Sequence, residues 1–265
     1  MMFDVENLLD SLERPNRAEG DYEKDGRLYC GKCHTPKQAL ILGKLRPCTC
    51  ECQEAEQRKE KAEQKRAAIE KYREEVLPRE NQQRSRFDTA EESNALGVAR
   101  NYVAHWDEMR SSGTGLIFYG PVGTGKSHAG LCIANALMDK GESVRYITAA
   151  DALAQLTSRD VDQKQFLEKM CTPSLLIIDD LGAEHDSGYS QAQMCRIIDA
   201  RHESGKPYVV TTNYSLDEMK SPADRSRQRI FDRVLGYCVP VLVDGQSRRQ
   251  KEGRERLEKA RRLLA

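Results

Sequence analysis

The chain has 265 residues, with 42 Lys/Arg against 42 Asp/Glu, zero formal net charge and 38% hydrophobic residues. That length carries one substantial domain with a smaller appendage, and zero net charge excludes a global field drawing the protein to nucleic acid. No apolar run reaches the ~20 residues of a membrane-spanning helix, and the stretch Met1–Glu13 is acidic where a secretory signal would be basic. The expectation is a soluble, cytoplasmic protein with no membrane partner.

Residues 1–27 are polar apart from Phe3, Val5, Leu8, Leu9 and Leu12, whose spacing suits one face of a short helix. Five of the nine cysteines then crowd between Cys30 and Cys52, a clustering that points to metal rather than to disulfides in a reducing compartment. Cys30-Gly-Lys-Cys33 brings two thiolates to one side of a tight knuckle. After a hairpin-like stretch, Cys48-Thr-Cys50-Glu-Cys52 offers the second pair of a tetrahedron that Zn2+ accepts without strain. Cys30, Cys33, Cys50 and Cys52 are favoured because the final Cys-x-Cys leads into a helix, with Cys48 or His34 as the substitute. The segment has too few apolar residues to hold a core without the metal. Residues 53–75 are charged helix formers with Glu54–Arg58 among the supporting pairs, a solvated connecting helix ended by Pro78. One amphipathic helix is expected over Ala95–Met109, turning Val98, Tyr102, Val103 and Trp106 toward a sheet.

Gly115–Ser127 is an apolar strand running into a glycine-rich loop. Gly120, Pro121, Val122, Gly123, Thr124, Gly125, Lys126 and Ser127 fit G-x-x-x-x-G-K-[ST], whose glycines let backbone N–H groups converge on phosphates. Lys126 brings positive charge to the β and γ oxygens and Ser127 sets its hydroxyl on Mg2+, so ATP and Mg2+ are the expected ligands. A helical pattern over Ala129–Met138 follows, then a strand at Val144–Thr148 and a helix at Ala150–Leu156, the alternation of an α/β parallel sheet. Ser174–Gly182 is a buried strand ending in carboxylates, expected beside the phosphate loop. Asp179 would orient the Mg2+ shell, and Asp180 would activate or position the attacking water. A helix over Ser190–His202 leads to the strand Tyr208–Thr212. Asn213 at its end has an amide that suits both the γ-phosphate and that water. Arg225–Arg233 reads as a helix with Arg229 and Arg233 on one face, followed by a last strand at Val239–Val243. From Arg225 onward, twelve Lys/Arg stand against five Asp/Glu, a basic C-terminal part suited to a DNA backbone.

Gly-Pro-Val-Gly-Thr-Gly-Lys-Ser-His, Leu-Leu-Ile-Ile-Asp-Asp-Leu-Gly-Ala-Glu, Gly-Lys-Pro-Tyr-Val-Val-Thr-Thr-Asn, Arg-Ile-Phe-Asp-Arg and Gln-Ser-Arg-Arg together resemble the AAA+ ATPases of the DnaC/DnaI helicase-loader type. The resemblance implies a P-loop NTPase fold with a central parallel sheet flanked by helices. It places Lys126 and Ser127 in Walker A, Asp179 and Asp180 in Walker B, Asn213 at sensor 1, Arg229 as the arginine finger and Arg248 at sensor 2. An aspartate at 180, where other AAA+ proteins have glutamate, implies a slow, switch-like ATPase. It also implies a helicase-interacting zinc-binding domain over 1–52, a helical linker over 53–86 and the ATPase domain over 87–265. The expected activity is the loading of a hexameric replicative helicase onto single-stranded DNA, with self-association in ATP. Transposition helper ATPases of the IstB type share nearly all these motifs but usually lack the cysteine cluster; a zinc-containing adaptor that only senses ATP is a third reading.

Overall fold

In the computed structural model, residues 16–89, 93–158, 160–183, 187–221, 225–245 and 247–264 are described. The apolar group from Phe3 to Leu12 lies outside them. The chain divides into two compact units, 1–68 and 69–265, with the division inside one helix.

The first unit has two antiparallel hairpins, β1 (Tyr22–Lys24) with β2 (Arg27–Tyr29) and β3 (Gln38–Ile41) with β4 (Lys44–Pro47). Among its described residues the interior is slight: Leu28, Cys30 and Cys50 are the buried apolar ones. A buried ion pair at 2.6 Å joins Lys37 to Asp21, and the bond from this ammonium holds the Asp21 carboxyl down to about 2. The helix α1 (Glu51–Val76) begins at the second cysteine pair and stops two residues short of Pro78, because the residue before a proline disfavours helical backbone.

In the second unit, β5 (Gly115–Tyr119), β6 (Val144–Thr148), β7 (Leu175–Leu181), β8 (Tyr208–Thr212) and β9 (Cys238–Leu242) form one parallel sheet ordered β6-β7-β8-β5-β9. The helices are α2 (Glu80–Gln83), α3 (Asn94–Ala104), α4 (Trp106–Ser112), α5 (Lys126–Asp139), α6 (Ala149–Thr157), α7 (Gln163–Cys171), α8 (Gly188–Glu203), α9 (Leu216–Lys220), α10 (Arg225–Tyr237) and α11 (Arg248–Leu264). Strand side chains alternate between faces, and the core divides accordingly. Leu116, Phe118, Leu175, Ile177 and Val209 pack with α3, α4 and α5. Ile117, Leu176, Ile178, Tyr208 and Val210 pack with α6, α7, α8 and α10. Each such side chain, fully buried, contributes about 1.5–3 kcal/mol.

Three features that the sequence expectations did not contain bear on the site. The helix expected over Ala95–Met109 is two helices that meet at His105 (φ −100°, ψ 33°), a turn that lets Trp106 bury itself edge-on to Tyr102. The helices α7 and α9 fall in segments without a sequence expectation; the Asp162 side chain caps one and a Ser215/Glu218 capping box opens the other. Finally, β8 lies between β5 and β7, so the strand bearing the two aspartates is not the neighbour of the strand that feeds the phosphate loop.

Arg201 is the anchor of the β8 side. It is fully buried on α8 and donates to the carbonyls of Met170, Cys171, Pro173, Ser174 and Pro207. The end of α7, the entry to β7 and the entry to β8 are thereby tied to one guanidinium, a planar donor suited to several acceptors at once. On the opposite edge, the Tyr72 hydroxyl donates to the Val144 carbonyl at 2.8 Å and accepts the Val144 N–H at 2.9 Å, covering part of the free side of β6.

Candidate nucleotide site and cysteine cluster

The phosphate loop leaves β5 at Gly120 and enters α5 at Lys126. Gly120, Gly123 and Gly125 have φ of 130°, 84° and 106°, backbone that side chains with a Cβ rarely adopt. A Cβ on Gly123 would lie 2.2 Å from the Ser247 hydroxyl oxygen, and one on Gly120 would lie 2.6 Å from the Val243 carbonyl oxygen. The chain after β9 therefore packs directly on the loop. Gly125 is the N-cap of α5 and no side-chain cap bond is made there, which leaves the positive end of the helix dipole facing the loop, where it favours an anion. Lys126 is buried and donates to the carbonyls of Gly120 at 2.8 Å and Pro121 at 2.6 Å, which curls the ammonium over the loop. The Thr124 hydroxyl donates to the same Pro121 carbonyl at 2.9 Å. Pro121 and Val122 are exposed, and Ser127 sits half-buried in the first turn of α5. This cradle fits the triphosphate of ATP.

Asp179 and Asp180 close β7. The β7/β8 ladder slips between Ile178 and Leu181, and Asp180 takes φ 59°. Adjacent strand residues point to opposite faces, and the slip and the left-handed residue re-aim this pair. One hydroxyl bridges the two aspartates: Thr211 Oγ1 accepts the Asp180 N–H at 2.8 Å and donates to Asp179 Oδ1 at 2.6 Å. Tyr146, on β6, donates to Asp179 Oδ2 at 2.6 Å. Burial, then the neighbouring Asp179 charge, pushes the Tyr146 phenol up, so it stays a donor. Asn213 donates to Asp180 Oδ1 at 2.9 Å, which pairs the expected water-activating carboxylate with the expected sensor amide. Asp179 is buried with both oxygens held, whereas Asp180 is half-buried and Asn213 exposed.

Tyr146 and Thr211 were not legible as site residues. Thr211-Thr212 in an apolar strand is a signal that could have been read; Tyr146 needs the strand order. Replacing Tyr146 by Phe keeps the ring and removes the donor. Half-saturation of ATP turnover by Mg2+ is then expected to need about tenfold more metal, the loss of one hydrogen bond to a charged group. A Mg2+ titration of turnover checks this, and an unchanged midpoint would show that Tyr146 only packs.

Arg229 is exposed on α10, and its carbonyl accepts from Arg233, whose guanidinium also pairs with Asp199 of α8. Arg227 lies over the Tyr214 ring at 5.4 Å. Arg248 opens α11 just beyond Ser247; its side chain lies outside the described residues.

In the first unit, the Sγ atoms of Cys30, Cys33, Cys50 and Cys52 lie within 4.8 Å of one another. All nine cysteines are free thiols. Cys48 stands outside the group, exposed, with its thiol donating to the Pro36 carbonyl, and His34 is exposed with its ring 5.8 Å from that of Tyr22. Sulfur contacts with Cys50, then Cys30 and Cys33, push the Cys52 thiol up to about 12, while the Thr35 hydroxyl and backbone N–H groups hold Cys33 down to about 5. Four sulfurs in one small volume repel as thiolates, and a divalent soft cation offsets that repulsion.

Among the described residues no helix is long and apolar enough to cross a membrane. A five-stranded parallel sheet with a phosphate loop after β5, paired aspartates after β7 and an interposed β8 ending in Asn213 defines an AAA+ P-loop nucleotide-binding domain. The chain belongs to the family described as IstB-like ATP binding protein, which matches residues 106–256. It is 33% identical over 171 residues to the replicative helicase loader DnaC of Escherichia coli K12, covering 63% of this chain and 67% of that protein. It is also 26% identical over 145 residues to a Mycobacterium tuberculosis protein whose name describes an ATP-binding protein in an insertion sequence, covering 53% of this chain and 58% of that one. A crystal structure of the DnaC helicase loader superimposes with a TM-score of 0.55 at 24% identity, covering 63% of this chain and all of that one, a likeness of fold.

Proposed function

We propose that this protein is an ATP-driven loader that grips a hexameric replicative helicase through residues 1–75 and places it on single-stranded DNA. The observation that carries the reading is the pairing of two features in separate units of one chain. One unit holds the phosphate loop together with the Asp179, Asp180 and Asn213 cluster, and the other a four-cysteine cluster. Four thiolates at tetrahedral reach are the donor set of a structural Zn2+, and in this reading residues 1–52 form the zinc-binding, helicase-interacting domain, 53–86 the helical linker whose first part shares that contact, and 87–265 the ATPase. Lys126 and Ser127 hold ATP and Mg2+, Asp179 orients the Mg2+ shell, Asp180 with Asn213 positions the attacking water, and Arg248 senses the nucleotide. An aspartate in the base position, one methylene shorter than glutamate, favours slow, switch-like turnover. Arg229, exposed on α10, suits the stabilisation of transition-state charge in a neighbouring copy, so the subunits associate in ATP. The basic α11 supplies charge for the DNA backbone.

A second reading, a transposition helper ATPase, is favoured by the insertion-sequence relative and by the family match. The cysteine cluster weighs against it. Co-elution with the host's replicative helicase in ATP and in ADP separates the two, with a chain starting at Phe87 alongside. A complex that forms with the full chain and is lost without residues 1–86 is the expected result. No complex in either nucleotide would sink the loader reading and leave the helper.

A further inference from the structure

The β3–β4 hairpin carries apolar side chains that the rest of the described residues leave exposed. Leu40, Ile41, Leu42 and Leu45 are 58%, 53%, 99% and 39% exposed. The register sets Leu40 opposite Leu45 and Ile41 opposite Lys44, so Leu40 and Leu45 share one face of the ribbon, Ile41 takes the other and Leu42 stands at the tip. The connecting residues Leu42 and Gly43 have φ of 52° and 77°. Two left-handed residues in a row make the type I′ turn, for which Asn-Gly or Asp-Gly is the favoured pair. A leucine in the first place strains the backbone through its Cβ, and a side chain left almost wholly in solvent gains nothing within the fold to offset that strain. The hairpin's own charges are of one sign: Gln38–Pro47 has Lys44 and Arg46 and no Asp or Glu, with Lys44 exposed directly beside the tip.

We propose that this tip is a protein-docking anchor: Leu42, flanked by Leu40, Ile41 and Leu45, inserts into an apolar groove with an acidic rim on the replicative helicase. The inference rests on the loader reading. A narrow convex ribbon with its most exposed leucine at the apex fits a concave site, and the exposed Lys44 beside that apex asks for carboxylates at the rim of the site. The cysteine cluster stands at the base of the same ribbon, since Cys33 precedes β3 and Cys50 follows β4, so the cluster holds the anchor at a fixed angle.

Leu42→Asn tests the anchor without endangering the fold, because asparagine suits the left-handed turn position better than leucine. The full-length protein, Leu42→Asn and Lys44→Glu are titrated against the replicative helicase in ATP, with zinc content and thermal unfolding measured on each. Zinc content and unfolding should stay as in the wild type, while the Kd rises about tenfold or more for Leu42→Asn. Lys44→Glu should also weaken binding, and its effect should shrink with added salt. Equal affinity of wild type and Leu42→Asn would overturn the anchor and leave the loader reading standing. No binding by the wild type would fell the loader reading and the anchor with it. Unchanged helicase affinity with reduced self-association of Leu42→Asn would assign the tip to a second copy of this chain and overturn the proposal.

Discussion

Asp180→Asn is expected to lower ATP turnover by about 10²- to 10⁴-fold, the range for loss of a positioned acid–base group, with ATP binding little changed. The substitution is chosen for its geometry. Asp180 sits at φ 59°, a conformation asparagine tolerates, and its Oδ1 accepts the Asn213 amide at 2.9 Å. An asparagine oxygen can keep that bond, and the backbone N–H can keep its bond to Thr211. What disappears is the negative charge, which in the proposed role polarises the attacking water. Binding depends on the loop and Lys126, which Asp180 does not touch among the described hydrogen bonds. Single-turnover hydrolysis measured beside nucleotide affinity separates the two steps. If turnover fell only a few-fold, the base would lie elsewhere and Asp180 would be a structural partner of Asn213.

Much of this site could be read in advance because its parts are local. The phosphate loop, the paired aspartates and Asn213 each occupy a strand end, and an apolar strand followed by polar residues is visible without knowing its neighbours. The cysteines also announce themselves, since a thiol cluster in a polar segment has few other uses. Relations between distant elements were hidden. Nothing in Val144–Thr148 says that Tyr146 meets Asp179, since that bond needs β6 beside β7. Likewise the interposition of β8, which brings Thr211 between the two aspartates, is a fact of strand order. Arg201 looked like one more charge on a polar helix, and only folding reveals the five carbonyls that converge on it. The capping residues Asp162 and Ser215 did carry legible signals for α7 and α9, but the helices they open span only 9 and 5 residues, too few turns for periodicity to mark them clearly.

Stripping the metal from the cysteine cluster is expected to unfold residues 16–68 while the sheet domain stays folded. Among its described residues the first unit buries Leu28 and two cysteine side chains as its apolar interior, whereas the second has a core on each face of its sheet. A segment with so little apolar burial does not offset its chain entropy, and a bound metal ties it together because binding and folding are one event. Purified protein should hold about one zinc per chain. Hydrogen exchange across residues 28–52 should go from protected to open on chelation, with β5 to β9 unchanged. Two serine variants make the ligand set explicit. Cys50→Ser removes a buried sulfur that lies 3.3 Å from Cys52, so zinc and protection should both be lost. Cys48→Ser alters an exposed thiol directed at the Pro36 carbonyl, so both should be kept. Loss of zinc from Cys48→Ser with retention in Cys50→Ser would reverse the assignment. Protection that survives complete removal of the metal would mean that the hairpins hold themselves, with the buried Lys37–Asp21 pair as the remaining tie between the loop before β1 and the second hairpin.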